Sequence, residues 1–133
     1  MQSTSGKHII VELWNCPSEF LDNIQALDEA FSEGIRLCGA TILGRLSHKF
    51  QPQGASMLYL LSESHVSSHT WPQCGYASLD GYTCGACDPR AISDYLQQYC
   101  EEHYNIKPKL YVTELKRGLH VDNQFYHEIK SRF

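Results

Sequence analysis

The sequence predicts an α+β fold: a two-layer α/β sandwich in which two helices cover one face of a mainly antiparallel sheet. Three observations lead there. Lys7 to Trp14 places Ile9, Val11 and Leu13 on one side of an extended segment. Two stretches, one beginning near Phe20 and one after Asp88, repeat apolar residues at the spacing of a helical face. The remaining ordered segments, 40–50, 54–62, 76–83 and 109–116, read as strands separated by Gly and Pro.

Residues 1–6 are small and polar, the composition of a loose end. After the first strand, Pro17 and Ser18 stand where a helix begins, and Leu21, Ile24, Leu27, Phe31, Ile35 and Cys38 follow in steps of three and four. Gly39 ends that helix because it adopts a left-handed backbone at low cost. Two strands joined at Gln51-Pro52-Gln53-Gly54 come next; Ala55 to Leu61 is apolar on both faces near its end and reads as a central strand. Trp71 to Gly75 is a turn, and Tyr76 to Thr83 another strand. Asp88 caps the second helix with Pro89 at its first position. Ile92, Tyr95, Leu96, Tyr99 and Cys100 line its face. Leu110 and Val112 then alternate with Tyr111 and Thr113 in a half-buried strand. Residues 119–133 are mixed and polar, and the sequence supports at most a short helix there. The 133 residues are read as one domain, with a core over 7–118 and a C-terminal extension over 119–133.

Bulk properties exclude several classes of function. A net charge of −4 gives no basic footprint for nucleic acid or an anionic membrane. No apolar run approaches the roughly 18 residues that span a bilayer. The first residues lack the apolar centre of an export signal, so a cytoplasmic protein with free thiols at its six cysteines is expected.

Chemistry concentrates between Leu61 and Gly85. Glu63 to Cys84 holds four serines, two histidines and two cysteines, a mixture of nucleophiles and bases. A polar turn leaving a strand would account for much of it. Cys84-Gly85-Ala86-Cys87 also has the spacing of a zinc or redox pair. No second pair of similar spacing completes a zinc site, so no metal is assigned, and a zinc-binding module stands as an alternative.

The order of residues is more specific than their composition. Glu63-Ser64-His65-x-Ser67-x-His69-Thr70-Trp71-Pro72, followed by Gly75-Tyr76-Ala77-Ser78-Leu79-Asp80 and Tyr82-Thr83-Cys84-Gly85, resembles the prokaryotic S-adenosylmethionine decarboxylase proenzymes. Matches extend from His8-Ile9-Ile10-Val11-Glu12-Leu13-Trp14-Asn15-Cys16 through Gly39-Ala40-Thr41 and His48-Lys49-Phe50-x-Pro52-Gln53-Gly54 to Arg117-Gly118.

The resemblance implies a chain that cuts itself between Glu63 and Ser64 and converts Ser64 into a covalently bound pyruvoyl group. It assigns His69 as the base that removes the serine α-proton and Cys84 as the acid that reprotonates the decarboxylated substrate. Phe50 and Trp71 match positions that stack an adenine ring, while His65 lines the site without taking part in proton transfer. It further implies a homodimer and a product that feeds spermidine synthesis. Cys16, Cys38, Cys74, Cys87 and Cys100 are expected to be small buried hydrophobes.

Three residues depart from the family pattern: Gln73 for a glutamate, Gly81 for an apolar residue, and Ser68 for an apolar residue before His69. All three are expected around the substrate pocket. They leave L-ornithine or L-arginine as an alternative substrate to S-adenosylmethionine. A non-catalytic regulatory homologue is a further alternative, opposed by the presence of Ser64, His69 and Cys84 together.

Overall fold

The computed structural model describes residues 4–121 and 124–132, with side chains for 4–119 and 127–131. Its seven strands are β1 (Gly6–Trp14), β2 (Ile42–Lys49), β3 (Ala55–Leu61), β4 (Ser64–Trp71), β5 (Tyr76–Cys84), β6 (Lys109–Val121) and β7 (Gln124–Arg132). The helices are α1 (Ser18–Leu21), α2 (Ile24–Cys38) and α3 (Arg90–Tyr104), and a 3-10 turn spans Pro72–Cys74. The strands form one sheet in the order β2-β3-β4-β5-β1-β6-β7, and all neighbours run antiparallel. The expected architecture, with helices over one face of an antiparallel sheet, is the one observed.

Alternation decides what each face carries. Ile9, Val11 and Leu13 of β1, Met57 and Tyr59 of β3, Val66 of β4, Leu79 of β5 and Val112 of β6 point to the helices and are buried. They meet Leu27, Phe31 and Ile35 of α2 and Ile92, Leu96 and Tyr99 of α3. Burial of that many large apolar side chains, each contributing about 1.5–3 kcal/mol, accounts for the sheet-to-helix layer. Two polar contacts fasten it. The buried Thr70 hydroxyl donates to the Leu21 carbonyl at 2.7 Å and accepts the Ala55 N–H at 3.0 Å, tying α1 to the sheet. Asp28 of α2 accepts the Tyr59 hydroxyl at 2.7 Å and Arg45 of β2 at 2.9 Å.

Local chemistry accounts for the helix ends. Asn23 breaks the first helical stretch in two and caps α2 by accepting the Ala26 N–H. Gly39 closes α2 at φ 92°. Pro89, expected at the first position of α3, stands one residue earlier at its N-cap, and Asp88 before it accepts the Arg90 N–H at 3.1 Å.

Three expectations are revised. The reactive stretch is itself a strand, β4, joined to β3 by the two-residue turn Ser62-Glu63. Residues 124–132 form β7, so the C-terminal extension lengthens the sheet and makes no helix; residues 122, 123 and 133 lie outside the described residues. Ser68 and Gly81 face the helix layer, since their neighbours on alternate positions are core residues. Ser68 is 7% exposed and its hydroxyl donates to the Ser78 carbonyl at 3.0 Å. Gly81 lies under Pro89. Ser68 nonetheless reaches the edge of a hollow on the opposite face. No helix among the described residues is long and apolar enough to cross a membrane.

A methyl group at Gly81 would meet Pro89 Cβ at 3.5 Å, Ile9 Cγ1 at 3.7 Å and Val66 Cγ2 at 3.7 Å, ordinary contact distances. Glycine within a strand costs roughly 0.5–1 kcal/mol in backbone entropy relative to alanine. Gly81→Ala is therefore expected to raise the melting temperature by about 2–5 °C in a thermal unfolding scan.

Candidate active site

The turn between β3 and β4 is held from two sides. Thr41 follows the capped end of α2; its N–H donates to the Glu63 side chain at 3.0 Å, and its carbonyl accepts the Ser62 N–H at 3.0 Å. The Ser62 side chain and that Thr41 N–H hold the Glu63 carboxyl below its usual range. From the other side, the Cys84 N–H at the end of β5 donates to the Glu63 main-chain carbonyl at 3.1 Å. That carbonyl belongs to the bond between Glu63 and Ser64. Its oxygen thus already receives a backbone donor, the arrangement that stabilises charge developing on an attacked carbonyl. Ser64 adopts φ 145°, a region that costs a non-glycine residue on the order of 1–3 kcal/mol.

Beyond Cys84, the loop to α3 is fastened to the helix layer. Thr83 donates to the Cys87 carbonyl at 3.1 Å, and the Cys87 thiol donates to the Gly39 carbonyl at 3.3 Å. The loop carries Cys84 exposed at its start, next to the Glu63–Ser64 bond.

The expected site residues fall into two groups. Glu63, Ser64, His65 and Cys84 gather where β3, β4 and β5 meet the turn. His69 is five residues further along extended β4, roughly 16 Å from Ser64, and pairs in register with Ser56 and Ser78. The His69 Nδ1 shares a 2.7 Å hydrogen bond with the Ser56 hydroxyl. Its ring lies 4.3 Å from that of Trp71 and 5.2 Å from that of Phe50. Tyr76 and Trp14 continue this run of rings across the sheet at 5.1 and 4.3 Å. Within one chain the fold gathers Phe50 and Trp71 around His69 and leaves Ser64 at the far end of the strand. Gln73 is exposed in the 3-10 turn beside this group.

A hollow of about 440 Å³ lies on the sheet face away from the helices, with His69 in its lining. Ser56, His69, Ser78 and Glu12 form one cross-strand row of its lining, and Leu58, Ser67, Asp80 and Ile10 form the next. Its volume lies in the range of small-molecule sites.

Several residues here escaped the sequence reading. Ser56 was hidden because only the β3–β4 register brings it to His69. His8, Asp80, Tyr82 and Arg117 come from three strands. His8 Nε2 lies 2.7 Å from Asp80 Oδ2, and Arg117 reaches His8 Nδ1 at 3.2 Å while its guanidinium covers the Tyr82 ring at 4.5 Å. All four stand in stretches that match the family pattern, but only the strand register brings them together. Arg117 is aimed by an irregularity in the β6–β7 register next to Gly118. A Cβ on Gly118 would fall 2.1 Å from the Thr4 carbonyl oxygen, so that bend requires glycine.

His8, His65 and Asp80 form a three-ligand group among the described residues. Arg117 is always a donor, so His8 Nδ1 must accept and its proton sits on Nε2, facing Asp80. A metal at Nε2 would need the opposite tautomer. The geometry favours a hydrogen-bonded chain.

The cysteines divide by environment. Cys16, Cys38 and Cys100 are buried, as expected, and burial pushes each thiol up to about 12. Cys87 is half-buried and burial raises it too. Cys74 is exposed, contrary to expectation, because the 3-10 turn leaves it outside both layers.

Comparison with known proteins gives a consistent picture. A family profile described as S-adenosylmethionine decarboxylase matches residues 7–127. The chain is 40% identical over 116 residues to an S-adenosylmethionine decarboxylase proenzyme of Methanococcus maripaludis, covering 86% of this chain and 90% of that protein. It is 43% identical over 119 residues to one of Brevibacillus brevis, covering 88% and 85%. The crystal structure of the adenosylmethionine decarboxylase from Aquifex aeolicus superposes with a TM-score of 0.73 at 29% identity, covering 94% of this chain and all of the other.

Alkylation follows the thiolate, and a raised pKa means less thiolate at any given pH. At pH 8, iodoacetamide is expected to label Cys74 and Cys84 in the folded protein. Cys16, Cys38 and Cys100 should label only near pH 12 or after denaturation, as read by peptide mass mapping.

Proposed function

The chain belongs to the S-adenosylmethionine decarboxylase family, and from that membership we propose that it is a self-processing carboxy-lyase acting on S-adenosylmethionine. The observation that carries the proposal is the Glu63–Ser64 bond: a carbonyl already receiving the Cys84 N–H, followed by a serine at positive φ. Attack of the Ser64 hydroxyl on that carbonyl carbon converts the amide into an ester. Loss of the Ser64 α-proton expels the Glu63 carboxylate. Hydrolysis of the resulting enamine releases ammonia and leaves a ketone at the new N-terminus. Cleavage also relieves the constraint at Ser64, which favours the forward direction.

The residues present fit such a pyruvoyl group, because the hydroxyl that generates it lies at a held and polarised carbonyl. Once formed, the group supplies an electron sink for the carbanion left when carbon dioxide departs. This chain's side chains do the rest. Cys84, exposed beside the new terminus, is suited to deliver a proton to substrate carbon. The rings of Phe50 and Trp71 offer flat faces to adenine and to a sulfonium cation. The product would be the aminopropyl donor for spermidine synthesis.

His69 cannot reach Ser64 within its own chain, which supports a homodimer as the working unit. The open sheet face carries Leu46 at 69% and Leu60 at 60% exposure, together with Ile10 and Leu58. Apolar surface of this extent is suited to a second copy. Two such faces in contact would bring the His69, Ser56, Phe50 and Trp71 group of one chain to the Ser64 and Cys84 group of the other.

Purified protein is expected to separate into two fragments split between Glu63 and Ser64, the larger blocked to Edman sequencing. Ser64→Ala should remain one chain and release no carbon dioxide from S-adenosylmethionine, ornithine or arginine; wild-type protein should release it from S-adenosylmethionine. Cys84→Ala keeps its main-chain N–H, so it should still be cut, while decarboxylation falls at least about a hundredfold in a trapped carbon dioxide assay.

A further inference from the structure

We propose that His65 is the base that activates the Ser64 hydroxyl for the first step of chain cleavage, and that Asp80 is its positioning residue. The inference rests on the self-cleavage proposed above and adds a catalytic group to it. Within its own chain His69 stands at the far end of β4, whereas His65 places a ring nitrogen beside the Ser64 hydroxyl. The later loss of the α-proton is left to His69 of a second copy.

The geometry meets that need inside one chain. His65 Nδ1 lies 3.3 Å from Ser64 Oγ, and on the other side of the same ring Nε2 approaches Asp80 Oδ2 at 3.7 Å. With its proton on Nε2, toward the carboxylate, His65 presents a bare Nδ1 lone pair to the serine. The logic is that of a Ser-His-Asp arrangement, recognised by roles and distances, not by chain order. The Ser64–His65 hydrogen bond is long, as such bonds commonly are before the reacting state is reached, and the Asp80 contact acts by charge at ion-pair distance.

Asp80 is itself held from several sides. Ser67 donates to Oδ1, and His8 donates through Nε2 to Oδ2 at 2.7 Å. Arg117 fixes the His8 tautomer from behind. The groups facing His65 are thus Ser64 on its own strand, Asp80 and Tyr82 on β5, and His8 on β1, with Arg117 of β6 one contact further. Leu60, its register partner on β3, adds no charge.

The step balances within the chain. The Ser64 Oγ–H proton passes to His65 Nδ1 as Oγ bonds to the Glu63 carbonyl carbon. The negative charge on that oxygen is met by the Cys84 N–H. The carbon–nitrogen bond then breaks, and the departing Ser64 nitrogen takes the proton back from His65. An ester and a free amine result, with no external reactant.

The test times cleavage of freshly translated, labelled full-length chain by gel and intact mass. If wild-type chain stays whole, the self-cleavage reading itself fails, and this proposal with it. If wild-type chain is cut and Ser64→Ala is not, the variants decide. His65→Gln is expected to slow cleavage at least about a hundredfold. Hydroxylamine, which splits esters, should release no fragments from it, whereas His69→Ala should accumulate ester and be split. His65 is half exposed, so added imidazole should restore cutting to His65→Ala, a rescue that a structural role would not give. Asp80→Asn should slow the wild-type chain about tenfold, Asp80→Glu should recover part of that, and Asp80→Asn should add nothing in the His65→Gln background. Circular dichroism and melting curves verify folding of each variant. Wild-type cleavage by His65→Gln, or its splitting by hydroxylamine, overturns the role of His65 while self-cleavage stands. Equal slowing by Asp80→Asn in both backgrounds overturns the role of Asp80.

Discussion

One hydrogen bond governs the reactive end of the molecule: the Cys84 amide donating to the Glu63 carbonyl. It joins the end of β5 to the β3–β4 turn and fixes the direction in which that carbonyl is polarised. Everything that keeps the two ends together serves it. The glycine cap of α2 delivers Thr41 to the Glu63 side chain, and Thr83 pairs with Ser64 across the ladder. The fastened loop after Cys84 prevents β5 from fraying. Local rigidity of this kind is what lets a residue at positive φ persist at Ser64, where an unsupported turn would relax.

The sheet keeps two chemistries apart by the pleat alone. One face is largely apolar and closed by α2 and α3. The other carries His8, Glu12, His65, Ser67, His69 and Asp80 among exposed leucines. A monomer would leave that second face in water, where its histidines and carboxylates would be hydrated and its apolar residues unsatisfied. Contact with another copy would dry it and strengthen each polar contact there.

The fold was legible where periodicity was strong. Ile9, Val11 and Leu13 announced β1, and the three-and-four spacing announced α2. β4 was obscured because its inward positions, Ser64, Val66, Ser68 and Thr70, are mostly polar and resemble a loop. β7 was obscured because polar edge strands carry little alternation. Motif order identified the residues around Ser64 and the ring pair around His69. It did not tell that they occupy opposite ends of one strand, since spacing along a chain fixes distance only once the strand is known. The Arg117–His8–Asp80 chain was invisible for a related reason: it crosses three strands and exists only in their register.

The strand order has a thermodynamic corollary for a chain opened between Glu63 and Ser64. The shorter piece would own β1, β2 and β3 and the longer piece β4 to β7, yet β1 is threaded between β5 and β6. The two pieces would therefore stay clasped without any covalent link, and their separation would require melting the sheet. Reassembly after melting would be a bimolecular encounter, dependent on concentration. An uncut chain would refold in a unimolecular step; a cut one would hold together chiefly because it never lets go.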